Sequence, residues 1–334
     1  METATRLIPQ AAFEIEKGAR KVLTLSEADV ARHLDLAEFL DGLEDGFCGL
    51  ELGEVQSPAR PEITVPGKGF SLAMPAWRPG GPIAVKIVNV FDGNLAWGVP
   101  NHLAMVLLFD ADTGATLCVM DGTHITGVRT AASAVLSARM LARPDARVAT
   151  IVGAGVQARE HLRLLPLVRG FDRINLCSLY PEEAERLAAR SPIARAVPDL
   201  EAAVRESDVV CLATHSAEPV IQSRWLKPGT HVSSVGYHPP RGELPPELAR
   251  EHRLFVETPE AFAPPPVGCA ELAGLPRDKG TPLGAVALGR APGRTSDQEI
   301  TVYKAMGIAM EDMVAATLAY ERARAQGGGG SMDW

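Results

Sequence analysis

A chain of 334 residues, 46% of them hydrophobic, has apolar mass for roughly two domains and a substantial core, without disulfides or a structural metal. Its formal charge of −8, with no Lys/Arg run, gives no basic field to condense on phosphates and excludes nucleic acid as a partner. No apolar stretch reaches membrane-spanning length and the N-terminus lacks the pattern of a secretory leader, so a cytoplasmic protein off the membrane is expected.

After about Lys21 the chain reads as a short strand, then Ser26 as an N-cap with Asp29 three residues on, then apolar positions at helical spacing. From Arg60 to Val119 short β-rich runs alternate with Gly, Pro and Asp-Thr-Gly turns, which predicts an antiparallel sheet covered on one face by the first helix. "TGVRTAASAVLSARMLARP" predicts a helix beginning near Thr126 and stopped by Pro144. Strand and helix then alternate: strand 147–152, helix 156–168, strand 173–179, helix 181–190, strand 208–213, then "HVSSVG" and "RLFVET" as further strands. That order predicts a parallel α/β sheet. "ITVYKAMGIAMEDMVAATLAYERARA" reads as a short strand and a long amphipathic helix returning to the first domain, and "GGGGSMDW" as a flexible linker outside the fold. The five cysteines, Cys48, Cys118, Cys177, Cys211 and Cys269, show no metal-ligand spacing and read as reduced core thiols.

"VATIVGAGVQAREHL" puts Gly153, Gly155 and Ala158 in a G-x-G-x-x-A pattern between a strand and a helix. Small residues there let the backbone approach a pyrophosphate, whose charge meets the free amides and positive dipole end of the helix. The plainer reading is a tight turn; the strand before and the helix and strand after favour a dinucleotide. Where the ribose-binding acid is expected, "INLCSLYPEE" has Ser178, so nothing there repels a 2′-phosphate and no Arg follows to hold one. NAD and NADP both remain candidates. Val156 and Gln157 in the turn, and Thr214 and Gly236 at the ends of two later strands, complete the cofactor-binding candidates.

Three cations stand out. Arg129 is expected in the first turn of its helix, where a cation opposes the dipole at a cost of about 0.3–1 kcal/mol unless an anion joins it. Arg60 precedes the sheet, where an ordinary edge arginine reads equally well. Lys86 interrupts Ile83, Ala84, Val85, Ile87, Val88 and Val90, so it occupies either a sheet edge that reaches solvent or a buried cleft. In a cleft, desolvation and neighbouring arginines would lower its pKa and make it an acid and base near neutral pH.

"VKIVNVFDGNLAWGVPNHLAMVLLFDADTGATLCVMDGTHITGVRTAASA", "IVGAGVQA", "LKPGTHVSSVG" and "ITVYKAMGIAMEDMVAATLAYERA" together resemble the ornithine cyclodeaminase/mu-crystallin family, in order and over nearly the whole chain after residue 20. The resemblance implies a Rossmann-type domain (129–302) inserted into a mixed α+β substrate-binding and dimerisation domain (1–128 with 303–334), and a homodimer. It implies that Arg60 and Arg129 clamp a substrate α-carboxylate, that Lys86 contacts this carboxylate and the substituent of the reacting carbon, and that Asn101 helps line the site. Cyclodeaminases of the family carry an Asp beyond the strand matching "HVSSVG"; this chain has "GYHPPRGEL", with Tyr237 and His238 and no Asp. The expected activity is therefore hydride exchange at the α-carbon of an imino or amino acid, by a ketimine reductase or amino-acid dehydrogenase using NAD or NADP, with His238 a second acid/base candidate. A cyclodeaminase is the alternative, and a binding protein that kept only the nucleotide fold is a third reading. Trp77, Trp97, His102 and Tyr237 are candidate side-chain pocket residues.

Overall fold

The computed structural model describes residues 21–236, 238–265 and 267–333. In chain order the elements are β1 (Lys21–Leu25), α1 (Glu27–His33), α2 (Leu36–Glu51), β2 (Glu62–Val65), β3 (Gly69–Ala76), β4 (Ile83–Phe91), β5 (His102–Phe109), β6 (Thr116–Asp121) and α3 (Thr123–Leu141). Next come β7 (Val148–Val152), α4 (Val156–Val168), β8 (Arg173–Cys177), α5 (Pro181–Ala188), β9 (Ala194–Ala196), α6 (Leu200–Glu206), β10 (Val209–Leu212) and β11 (His231–Ser234). Then follow α7 (Pro246–Glu251), β12 (Arg253–Val256), β13 (Gly280–Pro282), α8 (Leu283–Ala287), β14 (Thr301–Lys304), α9 (Ala309–Gln326) and β15 (Gly330–Asp333). The chain divides into two units: residues up to Arg129 with those from Ile308 onward, and Thr130–Gly307.

The first unit is built on a seven-stranded sheet in the order β15-β1-β6-β5-β4-β3-β2. β2 to β6 form the antiparallel run that the turn spacing predicts, while β1 joins β6 in parallel. Ser26 caps α1 through the expected reciprocal bonds with Asp29. The helix lying on β3, β4 and β5 is α9, not the first helix, and α1 and α2 pack on α9 in turn. The reason lies in composition: every residue of α9 from Ala309 to Tyr320 is buried, so it has no polar face to give to water and sits between two layers. Gly42 and Gly46 of α2 let its backbone close on Val314 and Met310. The opposite sheet face carries Pro75, Val85 and Leu107, half-buried, with Met105 and Ile63 exposed.

The tail set aside as a linker is part of this sheet. Gly327 and Gly329, at φ +70° and +82°, end α9 and reverse the chain, and β15 then pairs antiparallel with β1, Met332 opposite Val22.

The second unit contains an eight-stranded, all-parallel sheet in the order β13-β12-β14-β11-β10-β7-β8-β9. β10, β11 and β14 are buried at every position, as inner strands of a parallel sheet flanked by helices must be; β10 is wholly apolar, while β11 and β14 also bury His231, Ser233, Ser234, Thr301 and Lys304. The expected parallel α/β fold is present. β14 pairs with both β11 and β12 through Lys304, so residues 303–307 belong with this unit and not, as expected, with the first. All five cysteines are free, four of them buried, and burial pushes the thiols of Cys118, Cys177, Cys211 and Cys269 up to about 12.

Candidate functional site

Lys86 sits in the middle of β4, between Met74 on β3 and Val106 on β5, on the face against α9. It is 1% exposed, which settles the choice between edge and cleft. A bare ammonium in such a place would lose several kcal/mol of hydration, and a partner is required. That partner is Asp312 in the first turn of α9: Nζ lies 2.8 Å from both carboxylate oxygens. Beside it Arg129 donates from Nη1 to Glu311 Oε2 at 2.9 Å, and its Nε is 3.4 Å from Asp312 Oδ1. Glu311 also accepts from the Ile308 N–H, so one side chain caps α9 and holds Arg129. Both carboxylates stand at a helix N-terminus, where the dipole favours their charge.

The cluster sets the protonation of Lys86. Desolvation, then the charge of Arg129, lower its pKa from 10.5 to about 8 against the opposing pull of Asp312 and Glu311. The direction is the one expected for a buried lysine beside an arginine, and it brings the proton equilibrium of Lys86 close to neutral pH.

Arg129 corrects two expectations. Asp121 accepts the Thr123 N–H at 2.7 Å and α3 begins at Thr123, so Arg129 is the seventh helical residue, not a first-turn cation opposing the dipole. Nor does it await an anion without partners, because Glu311 and Asp312 hold it. Arg60 lies just before β2; Pro61 O accepts the Ala73 N–H, and the ladder brings Arg60 level with Met74, the β3 partner of Lys86. That register puts the backbone of Arg60 two strands from Lys86 across the sheet, whereas Lys86 and Arg129 are paired directly with Glu311 and Asp312. Asn101 is not brought to Lys86. Its carbonyl accepts from Phe91 N–H at the far end of the β4–β5 ladder, five positions from Val106, or about 16 Å along a strand. Trp97 and His102 are exposed near that end, and Trp77 is held in a backbone bridge to Gln56.

Asp312 and Glu311 escaped the reading of the sequence. The available signal was the one that exposed Lys86: charges inside an apolar run, here "AMEDMVAA".

In the second unit the G-x-G-x-x-A turn has the required shape. Gly153 has φ +120° and a Cβ there would run into Ala213 O, so only glycine fits. Gly155 caps α4, and a Cβ on it would meet nothing, leaving open space over amides of Val156, Gln157 and Ala158 that have no helical acceptor. Ala158 is fully buried between helix and sheet. This cradle fits a dinucleotide pyrophosphate. Past β8, Ser178 Oγ accepts from the Tyr180 N–H, and Leu179 beside it is 94% exposed. Thr214 and Gly236, past β10 and β11, are both bonded to the buried carboxylate of Glu243. His238 meets His215 in a tilted ring contact, centroids 4.3 Å apart and planes at 49°, and Tyr237 lies outside the described residues.

The model of the ornithine cyclodeaminase/mu-crystallin family matches residues 20–327. Ketimine reductase mu-crystallin of Mus musculus is 36% identical over 305 residues, covering 89% of this chain and 96% of the mouse protein. The structure of Thermococcus litoralis Delta(1)-pyrroline-2-carboxylate reductase, in complex with NADH and L-proline, is 32% identical with a TM-score of 0.85, covering 93% of this chain and all of that one. An archaeal alanine dehydrogenase dimer with bound NAD is 28% identical, also with a TM-score of 0.85, over 94% of this chain and all of that one.

Proposed function

The chain belongs to the ornithine cyclodeaminase/mu-crystallin family, and from that premise we propose that it is an NAD(P)-dependent oxidoreductase acting at the α-carbon of a small imino or amino acid. The observation that carries this reading is Lys86, buried in β4 with a pKa near 8, paired with Asp312 and set beside Arg129. The cofactor, when bound, supplies or accepts the hydride, with its pyrophosphate over Gly153, Gly155 and the first turn of α4. Arg129 and Arg60 take the substrate carboxylate, which fixes the α-carbon; orientation of this type is worth several orders of magnitude in rate. Lys86 keeps the imine nitrogen protonated, and a protonated C=N is the better electrophile. In the amino-acid direction neutral Lys86 takes the proton back. Asp312 holds Nζ in place and is the nearest acceptor for its proton. We assign the proton work to Lys86 in preference to His238, whose ring is engaged with His215.

The cyclodeaminase alternative needs an acid beyond β11 to handle the substrate amine. The acid in "GYHPPRGEL" is Glu243, and its carboxylate already accepts four hydrogen bonds, two of them from backbone amides, filling its acceptor positions.

The apolar outer face of the first unit's sheet supports a homodimer, since Met105, Ile63 and their neighbours would otherwise face water. The unpaired thiols fit a cytoplasmic setting. Among the described residues no helix is long and apolar enough to cross a membrane.

The test follows NADH and NADPH oxidation with pyrroline and piperideine carboxylates, and with pyruvate or glyoxylate plus amines. Wild type should reduce at least one of these, and Lys86→Ala should lose at least about a hundredfold in kcat. A Lys86→Ala enzyme as active as wild type overturns the assignment. Ammonia release with a cyclic product and no net cofactor consumption would establish the cyclodeaminase instead.

A further inference from the structure

Glu243 is fully buried, and no part of the proton chemistry uses it. Its Oε2 accepts from the Thr214 N–H and the Thr214 hydroxyl, both at 2.7 Å. Its Oε1 accepts from the Gly236 N–H at 2.7 Å and the Ser234 hydroxyl at 2.9 Å. One carboxylate therefore ties together the turns that follow β10 and β11. Behind it Lys304 donates to Gly236 O at 2.7 Å and Ser234 Oγ at 3.1 Å, and pairs with Glu271 at 2.6 Å. Glu271 in turn accepts from the Leu244 N–H, anchoring the residue next to Glu243. The turns are packed as closely as backbone allows, since a Cβ on Gly236 would strike Thr214 O and the Glu243 carboxylate.

The strand order gives this clamp its place. From β7 the chain first goes to β8, on one side, and later returns to β10 on the other, so the order reverses between β7 and β10. In open parallel sheets a dinucleotide lies across the carboxyl ends of the strands at such a reversal, its pyrophosphate at the first strand and its two nucleoside halves on opposite sides. The β8 side receives the adenosine. The turns after β10 and β11 then stand under the nicotinamide half, and Gly153 closes against Ala213 O at the same reversal.

We infer that Glu243 is a positioning residue for the nicotinamide half of the dinucleotide, acting through the Thr214 and Gly236 turns that its carboxylate holds in register. This rests on the dinucleotide reading of the Gly153–Ala158 turn, and goes beyond it by separating the two halves of the cofactor.

Glu243→Gln is the test. An amide nitrogen in place of one oxygen must face either the Thr214 or the Gly236/Ser234 donors, so one turn is released while size and shape are kept. Affinities are measured for NADH, by energy transfer from tryptophan, and for ADP-ribose, which lacks nicotinamide, by calorimetry. The expected result is a preference for NADH over ADP-ribose reduced at least about fivefold, with ADP-ribose affinity unchanged. A defect of folding alone would weaken both ligands together, and equal losses, or no loss, overturn the inference. If Glu243→Gln does not yield folded protein, Thr214→Val removes one of the same four bonds and should give a smaller change of the same pattern; its absence counts against the inference equally. A wild-type protein that binds neither ligand overturns the dinucleotide reading itself. A wild type that binds both but reduces no imine overturns only the substrate assignment, and leaves the comparison valid.

Discussion

Lys86 shows how a strand can carry a charge without losing the sheet. Its neighbours on β3 and β5 are Met74 and Val106, and its charge is met from above by Asp312. Removing Asp312 outright would strand a buried cation at a cost of about 3–5 kcal/mol, so Asp312→Asn is the informative change. Asp312 raises the Lys86 pKa, both by its charge and by its hydrogen bond. With Asn the pKa falls below its present value of about 8. Imine reduction needs the protonated amine, so the pH at which kcat is lost on the alkaline side should move down, while a variant that only loosened the fold would lower kcat without moving that midpoint. Gly153→Ala should abolish NADH binding measured by fluorescence titration, because the new methyl meets Ala213 O in a backbone conformation that alanine avoids. Lys86 was legible because it breaks an apolar strand, whereas Arg129 was singled out as a first-turn cation, which it is not, and its place in the cluster is fixed by Glu311 and Asp312. The two acids were not legible, because Glu311 and Asp312 are 225 or more residues from Lys86 in sequence and nothing local links them.

Among the elements, α9 departs furthest from expectation. It reads as amphipathic because Glu311, Asp312, Glu321, Arg322 and Arg324 punctuate it, yet the first two are buried in the site and only its C-terminal part meets water. Glu321 lies in that part; burial, then the nearby Glu38, push its carboxyl up to about 7. A folded-state pKa above the unfolded value means that the folded protein binds the extra proton between pH 4.5 and 7, and that stability is lost as pH rises through 7. Glu321→Gln should therefore raise Tm at pH 8 by about 1–2 °C and change it little at pH 5, by scanning calorimetry; the partial exposure of the group keeps the effect small. The parallel strands and α4 were readable because the continuous apolar runs and the glycine turn are local signals. The start of α3 was placed three residues late because the acceptor that holds its first amide is Asp121, the last residue of β6, and the β-branched Thr123, Ile125 and Thr126 are weak helix formers.

At the scale of the molecule, the seven-stranded sheet has one face under α9 and one that presents Val85, Leu107 and Met105. If that face joins two copies, Leu107→Glu should convert a dimer to a monomer in light scattering after size exclusion, without loss of the Lys86–Asp312 pair. The other open question for a sheet is its margins, and here the Gly-rich tail matters. β15 covers β1, whose amides and carbonyls would otherwise stand bare. A reporter or affinity handle fused after residue 334 would thus hang from a structural strand, and trimming the chain at Gly327 to make it tidier would leave β1 as a template on which a stranger's strand could grow.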